Sequence, residues 1–461
     1  MLFTEPRFFA FFAIVFGVYW AIRPNTARKA WLLACSIVFY AGWDWRFLGL
    51  VLLTIVVTYT ATLLLTRTEE VGRRRAILAA SVGFALLMLG YFKYYNFFVD
   101  SISTIVPLDL ATRSIILPVG ISFYTFHGMS YLIDTYRRRI VPTKSFLDVS
   151  LYILFFPQLV AGPIVRATDL LPQMREARSI EGETAKYFIA TFIIGFFKKA
   201  VISDGLAPVV DAFFASPDRY GGGDAIVAVF SYAVQIYCDF SGYTDMAIAT
   251  AGLLGYRLKP NFNHPYLSSN LIDFWRRWHI SLSSWLRDYV YISLGGNRGG
   301  YLFQIRNIVV TMLLGGLWHG ASWTFVVWGA VHAIGLALCH TVNSVRGAKA
   351  DAGSHSIIGN ALTFTFVAAA WILFRSPNFA TAMAVFGRFA VPTLPTLMAW
   401  YLFLPLAGFL GVAHTASYHF DPRTLMARLN NNLFAISVGV AIAAIPPLMS
   451  TDVVPFIYFQ F

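Results

Sequence analysis

Charged residues are scarce in this chain of 461 residues, at 13%, roughly half the share that an ordinary soluble domain carries. Cysteine is scarce too. The three present, Cys35, Cys238 and Cys339, are widely spaced and give neither a disulfide framework nor a metal-ligand pattern. No internal repeat or low-complexity segment is apparent. Together these absences argue against a soluble domain, a disulfide scaffold and a repeat protein.

Apolar and aromatic residues are abundant in this chain. They bring the hydrophobic fraction to 57% and the aromatic fraction to 17%, with a mean hydropathy of +0.63. Apolar runs of membrane-spanning length recur along the chain. We therefore predict an all-α, polytopic membrane protein with about eleven or twelve transmembrane helices, in a single domain over residues 1–461.

Proline and glycine interrupt several of these apolar runs, for example at Pro118, Gly120, Pro157 and Pro163. Irregular backbone at membrane depth is tolerated only where protein or a water-filled cavity covers the freed polar groups. We therefore expect re-entrant and interfacial helices around a central chamber.

The formal net charge of +12 lies mostly in loops between the apolar runs. The positive-inside bias then places Arg28, Arg74 and Arg138 in the cytoplasm, and the N-terminus and the turn Asp44–Arg46 outside. No basic stripe with stacking aromatics lies outside the hydrophobic matrix. The expected partner of this charge is the lipid bilayer, and we expect no nucleic acid.

The stretch Asn263–Arg306 is too polar for a span and too aromatic for a solvated loop. Helical spacing would place Trp275, His279 and Ser283 on one face of a single helix, with Arg276 on another. An amphipathic helix at the membrane interface explains the arginines and tryptophans. It does not explain His279, because an imidazole titrates near physiological pH and transfers protons.

The stretch Asn307–Gly329 is apolar, and His319 is its only ionisable residue. An ionisable residue in a span is costly, which makes function the default hypothesis. The glycines around His319 are explained either by close helix packing or by substrate access, and Trp318 could form a wall of a hydrophobic tunnel. If the helix continues without a break, His332 lies on another face than His319.

A third stretch, Tyr237–Phe262, carries Asp239 and Asp245 on either side of Ser241. Carboxylates in apolar surroundings need partners. They are either structural ion pairs or groups that act on a substrate. The candidate ion-pair partners are Arg257, Arg276 and Arg277.

Two of these regions carry a specific resemblance. FWRRWHISLSSWLRDYVYISLGGNRGG (Phe274–Gly300) and the motif TMLLGGLWHGASWTFVVWG within Arg306–Gly329 resemble the membrane-bound O-acyltransferase (MBOAT) family, and within it the bacterial alginate O-acetyltransferase (AlgI-like) branch. Three further stretches match that branch in order: Leu117–Arg137, Phe155–Arg166 and Asp239–Tyr256. The matching core covers about residues 115–335.

The resemblance implies a membrane enzyme in which an acetyl group from a cytoplasmic thioester reaches hydroxyls of an exported, alginate-like polysaccharide. His319 matches the family's essential histidine, and His279 matches the second histidine of bacterial members. A carbohydrate hydroxyl is a poor nucleophile, so we assign His319 as the general base and His279 as an assisting catalytic group. The residues that we assign to substrate binding are Trp318, Asp239, Ser241, Asp245, Arg276 and Trp275.

Neither route calls for a metal or a bound cofactor. The expected donor substrate is acetyl-CoA or another acyl thioester. The expected partners on the outer side are the polysaccharide or a separate periplasmic acetyltransferase, which places the protein in the bacterial inner membrane. Two alternatives stay open: D-alanyl transfer to teichoic acid, and a non-catalytic transporter of an acyl donor or polysaccharide precursor. A conduit, however, has little need of His319.

Overall fold

Helices make up the regular structure of the chain. The computed structural model describes residues 1–106, 111–159, 162–346, 356–396, 406, 408–450 and 455–457, and none of these residues forms a strand. This is the all-α class expected from the apolar runs. The chain divides into two compact units, Met1–Ile189 with Met246–Lys259, and Ala190–Asp245 with Pro260–Phe461.

The first nine helices belong to the first unit. They are α1 (Pro6–Ala21), α2 (Asn25–Asp44), α3 (Leu48–Arg67), α4 (Val71–Leu89), α5 (Tyr95–Ser103), α6 (Ile121–Tyr136), α7 (Phe146–Leu154), α8 (Phe156–Leu159) and α9 (Ala167–Arg175).

Two of the three unit boundaries fall inside α10 (Gly182–Phe197) and α12 (Gly222–Leu253), and the third lies between Lys259 and Pro260. The remaining helices of the second unit are α11 (Asp204–Ala215), α13 (Leu271–Arg277), α14 (Ile280–Leu286), α15 (Tyr301–His319), α16 (Trp323–Arg346), α17 (Ile357–Arg375), α18 (Phe379–Phe389), α19 (His414–His419), α20 (Pro422–Ala427) and α21 (Asn431–Ala444). Short π-helical segments occur at Gly90–Tyr94, Lys198–Ser203, Arg287–Tyr291 and Phe409–Ala413.

Helix α6 forms the centre of the first unit, where almost all of its residues are buried. At the end of α6 the guanidinium of Arg74 donates to the carbonyl of Tyr136 at 2.9 Å, and Arg138 forms an ion pair with Glu69. Arg74, in the first turn of α4, and Arg138, just after α6, were both expected on the cytoplasmic side, and they lie at the same end of this unit.

The core of the second unit is unusually aromatic. Trp278, Trp328 and Trp371 are fully buried, and the ring centroid of Trp371 lies 5.1 Å from that of Trp278 and 5.6 Å from that of Trp328. Large rigid rings bury much apolar surface at little cost in side-chain entropy. They provide a stiff framework for the residues around them.

Seven helices among the described residues are long and apolar enough to cross a membrane: Asn25–Arg67, Val71–Ser103, Gly222–Leu253, Tyr301–His319, Trp323–Val345, Ile357–Arg375 and Asn431–Leu448. The protein is thus a multi-pass membrane protein. The count among the described residues is lower than the eleven or twelve expected, and part of one expected span, Leu397–Val412, lies outside the described residues. The apolar helices Pro6–Ala21 and Phe379–Phe389 are shorter than 18 residues, and Asn25–Arg67 joins two expected spans in one helical run of 43 residues.

Candidate functional site

Helices α15 and α16 form a tightly packed hairpin in the second unit. A β-carbon added at Gly316 would collide with the carbonyl oxygen of Phe325 and lie 3.3 Å from Cα of Gly329, and one added at Gly329 would collide with the carbonyl oxygen of Met312. The two backbones therefore approach each other as only glycine permits. Close helix packing, one of the two explanations left open by the sequence, accounts for Gly316.

We expect Gly316→Ala to destabilise this hairpin by about 1–3 kcal/mol, as overpacking of a full core does. The matched control is Gly439→Ala on α21, where an added β-carbon meets nothing within 4 Å. Thermal unfolding of the detergent-solubilised variants measures the difference. Equal midpoints for the two variants would contradict the packing described for Gly316.

His319 is the last residue of α15, and the chain leaves the helix at Gly320 in an extended conformation before α16 begins at Trp323. His319 and His332 therefore do not lie on one continuous helix, and helical spacing does not relate their directions. A β-carbon at Gly320 would collide with the ring of Phe325, so a glycine is needed where the chain turns. His332 packs 4.7 Å from the Trp328 ring, measured between centroids.

The second histidine lies in a kink instead of on a helix face. Helix α13 ends at Arg277, Trp278 is extended, and His279 adopts a left-handed conformation with φ 42° and ψ 54° before α14 begins. The expectation of a single helix that aligns Trp275, His279 and Ser283 is therefore wrong. Left-handed backbone is uncommon for a residue with a β-carbon, and such strain tends to occur at functional sites.

The kink and the helix end bring the two imidazoles together. The ring centroids of His279 and His319 lie 6.2 Å apart, and both side chains are buried. The ring of Phe240 meets His279 edge-on at 4.6 Å, and that of Phe374 lies 5.2 Å from His319. Two imidazoles at this separation can both reach one small group held between or beside them.

Trp318 lies against both histidines, with its ring centroid 5.8 Å from that of His279 and 5.1 Å from that of His319. The ring of Trp328 contacts His319 from another direction at 5.2 Å. Aromatic rings thus surround the imidazole pair. This environment has a low dielectric constant, in which nearby dipoles act strongly on developing charge.

A cavity of about 140 Å³ extends from His319 through the second unit. Its wall is almost entirely apolar, and among the described residues that line it only Arg287 has a permanently charged side chain. The lining residues are Trp275, Leu282, Ser283, Leu286, Arg287, Tyr291, Ile308, Thr311, Met312, Gly315, His319, Trp328 and Leu336. Gly315 lines this cavity. Substrate access, the second explanation for the glycines around His319, therefore fits Gly315.

His279 does not line this cavity but lies behind it, next to His319. It is outside the seven candidate spans, and burial lowers the pKa of its imidazole to about 3. Desolvation disfavours the charged form. His279 is therefore a neutral imidazole that can accept a hydrogen bond at one nitrogen and donate one at the other.

Asp239 is held in a buried ion pair, and its partner is none of the three candidate arginines. Lys199, in the π-helical segment after α10, places Nζ 2.7 Å from Asp239 and 2.7 Å from Asp204. The side chains of Lys199 and Asp239 are 1% and 2% exposed. The second carboxylate oxygen of Asp239 accepts the backbone N–H of Ile457 at 2.9 Å.

Asp245 is also paired with a lysine, since Nζ of Lys198 lies 2.7 Å away, and with Arg423 at 3.6 Å. The sequence-predicted arginine partners were wrong because ion pairing joins elements distant in sequence. Ser241 is buried, and its hydroxyl has no hydrogen-bond partner in the part of the chain that the structure describes.

Of the residues assigned to substrate binding, Trp275 lines the cavity and Trp318 contacts both imidazoles. Asp239, Ser241, Asp245 and Arg276 do not line the cavity, and Arg276 is exposed. The assignment of all six residues to substrate binding stays a prediction.

Three neighbours of the imidazole pair were missed in the sequence: Phe240, Phe374 and Asn261. Phe240 lies within the DFSGYTD motif, between Asp239 and Asp245, the two carboxylates that the sequence analysis considered. Phe374 lies in an apolar helix without any local signal. The carbonyl of Asn261 accepts the N–H of Ile280, the residue after His279. Among the described residues, no three His, Cys, Asp or Glu side chains cluster as metal ligands would.

Comparison with known proteins points to one family. Residues 37–380 match the membrane-bound O-acyltransferase family, MBOAT, a range that includes parts of both structural units. It also contains His279, His319 and the residues that line the cavity. The residues that form the candidate site are therefore within the matched region.

Named relatives differ in their acceptors. The probable alginate O-acetylase AlgI of Azotobacter vinelandii is 42% identical over 398 residues, which cover 84% of this chain and 77% of the relative. The peptidoglycan O-acetyltransferase of Helicobacter pylori is 36% identical over 416 residues, with coverage of 84% and 79%. The teichoic acid D-alanyltransferase of Streptococcus thermophilus is 27% identical over 266 residues, with coverage of 52% and 63%.

Proposed function

Since the chain belongs to the membrane-bound O-acyltransferase family and is an O-acyltransferase, we propose that it moves an acetyl group from a cytoplasmic thioester towards hydroxyls of an exported, alginate-like polysaccharide. His319 acts as general base and His279 assists. The observation that carries this proposal is the imidazole pair, whose ring centroids lie 6.2 Å apart, with His319 lining an apolar cavity.

The proposed chemistry uses His319 as a proton carrier. An imidazole nitrogen of His319 removes the proton of the acceptor hydroxyl while the hydroxyl oxygen attacks the thioester carbonyl. The new bond joins that oxygen to the acyl carbon, and the carbon–sulfur bond breaks. The thiolate leaves and takes up the proton that His319 carries. In this scheme His279, whose ring lies next to that of His319, donates a hydrogen bond to the oxyanion that forms between these steps.

The cavity supports an acyl thioester as donor. Its apolar wall suits an uncharged acyl chain and a thioester arm, and the guanidinium of Arg287 at its lining is ion-paired with Asp288. Acetyl-CoA and acyl carriers both combine an uncharged thioester arm with an anionic part. No bound cofactor is needed in this scheme, since the thioester is consumed as a substrate.

The coverage and identity of the relatives favour acetyl transfer to a polysaccharide over D-alanyl transfer. The acetylase relatives cover 84% of the chain at 36–42% identity, whereas the D-alanyltransferase relative covers 52% at 27%. In this proposal the acetyl group is received on the outer side of the bilayer, either by the polysaccharide itself or by a separate periplasmic acetyltransferase. The protein then lies in the bacterial inner membrane.

We expect cells that make this protein to export a polysaccharide carrying acetyl esters that are absent from cells without it. Mass analysis of the exported polymer, before and after mild alkaline release of esters, measures this. A D-alanyl ester on the cell wall with no acetylated polymer would establish the alternative acceptor. Export of unmodified polymer in amounts that depend on the protein would indicate a transporter and overturn the proposal.

A further inference from the structure

The backbone at His279 needs something to hold it. Among the described residues other than glycine, Arg138, His264 and His279 alone have positive φ angles. A β-carbon disfavours this region, so the conformation persists only where the surroundings fix it. The short helices on either side of the kink, α13 and α14, have seven residues each. Without a restraint, the spacing of the sequence favours one continuous helix through both.

The chain segment 261–263 provides the restraint on both sides of the kink. The N–H of Ile280 donates to the carbonyl of Asn261, and the N–H of Asn263 donates to the carbonyl of Arg277, both at 2.9 Å. A continuous helix would use the Ile280 N–H and the Arg277 carbonyl for its own hydrogen bonds. The segment therefore competes directly with the helix at the position of the turn.

The side chain of Asn261 strengthens this competition. Its Oδ1 accepts the backbone N–H of Ser281 at 3.0 Å and the hydroxyl of Ser281 at 2.9 Å. Asn261 is 1% exposed. Its amide nitrogen Nδ2 has no hydrogen-bond partner among the described residues, so the contribution of the amide lies in its oxygen.

We propose that Asn261 is a positioning residue for acyl transfer, which fixes the left-handed turn at His279 and thereby holds the His279 imidazole beside His319. The argument rests on the proposed function, since it assigns His279 a part in the reaction. Loss of the Asn261 oxygen frees two donors of Ser281 and lets the turn relax towards a helix. The His279 ring then moves away from its place 6.2 Å from His319.

The test compares Asn261→Ala with Asn261→Asp in purified protein, with acetyl-CoA as donor and an oligosaccharide of the exported polymer as acceptor. A misplacement of about 1 Å costs on the order of 10²-fold in rate, so we expect Asn261→Ala to lower kcat by about that factor with little change in the donor KM. Asn261→Asp keeps an acceptor oxygen and should restore most of the rate. Ser281→Ala removes one of the two donors and should give a smaller loss.

A double-mutant cycle separates positioning from general damage. If Asn261 acts through His279, adding Asn261→Ala to His279→Ala causes no further loss of kcat. An additive loss, or wild-type kcat in Asn261→Ala, would overturn the proposal. If Asn261→Ala does not insert into the membrane, Ser281→Ala is tested in the same cycle, and the same two outcomes decide.

The cycle also tells the two proposals apart. Wild-type activity in His279→Ala would refute the role of His279 in the proposed function, and the role of Asn261 with it. A large loss in His279→Ala together with full activity in both Asn261→Ala and Ser281→Ala would refute the positioning role alone.

Discussion

Replacement of His319 by alanine is expected to lower the rate of acyl transfer by about 10²–10⁴-fold, the range that general base catalysis supplies. His319 ends α15, contacts the second imidazole and lines the apolar cavity. Among the described residues, no other histidine lines that cavity. Alanine leaves the α15–α16 packing at Gly316 untouched, so the variant should still insert and fold. Transfer of labelled acetyl from acetyl-CoA to the acceptor by purified protein measures the rate.

The matched control is His340→Ala, which also removes a histidine from the α15–α16 hairpin. His340 is half-buried, its ring lies 3.4 Å from the side-chain amide of Gln304, and it does not line the cavity. We expect its rate to stay close to wild type. Equal rates in His319→Ala, His340→Ala and wild type, with all three proteins inserted, would remove His319 from the mechanism.

Sequence patterns predicted the helical class and the importance of both histidines because these features are local. An imidazole alone in an apolar run is visible in the sequence, and so is a polar, tryptophan-rich stretch such as that around His279. The structure places the ring centroids of the two histidines 6.2 Å apart, although the common catalytic role stays a prediction.

The turns at both histidines were missed because they depend on contacts with distant segments. Helical periodicity runs smoothly through Trp275, His279 and Ser283, and only the hydrogen bonds from the segment 261–263 interrupt it. At His319 the helix ends where Gly320 must pass the ring of Phe325. Local propensity is overridden by tertiary contacts in both places. The single-domain assignment also stays a prediction.

The partners of Asp239 and Asp245 could not be found from spacing either. The sequence offered nearby arginines, whereas the structure uses Lys198 and Lys199, on a π-helical segment of another element. A π-helical turn shifts side chains by one position relative to an α-helix. Such a shift is not visible in a helical pattern, and in this segment two adjacent lysines each reach a different aspartate.

Replacement of Lys199 by methionine is the second variant with a large expected effect, here on stability. Lys199 lies between Asp239 and Asp204, each 2.7 Å from its Nζ, and its side chain is 1% exposed. Removing one partner from a buried ion pair leaves charge that nothing compensates and costs about 3–5 kcal/mol. Asp239→Asn should cost less, because Lys199 keeps its pairing with Asp204. Thermal unfolding of detergent-solubilised protein measures both.

The control for Lys199→Met is Lys259→Met, which breaks a pair of nearly equal length. Nζ of Lys259 lies 2.8 Å from Asp169, but its side chain is 73% exposed, and such surface pairs contribute about 0–1 kcal/mol. The decisive variant is the double replacement Lys199→Met with Asp239→Leu. Apolar side chains of similar size can replace a buried ion pair at little cost, and only the carboxylate of Asp204 is then left without its lysine. The double variant should therefore be more stable than Lys199→Met alone.

Two outcomes would contradict the role assigned to Lys199. One is an unfolding midpoint of the double variant below that of Lys199→Met, and the other is equal midpoints for Lys199→Met and Lys259→Met. In either case the loss of stability does not come from unpaired buried carboxylates.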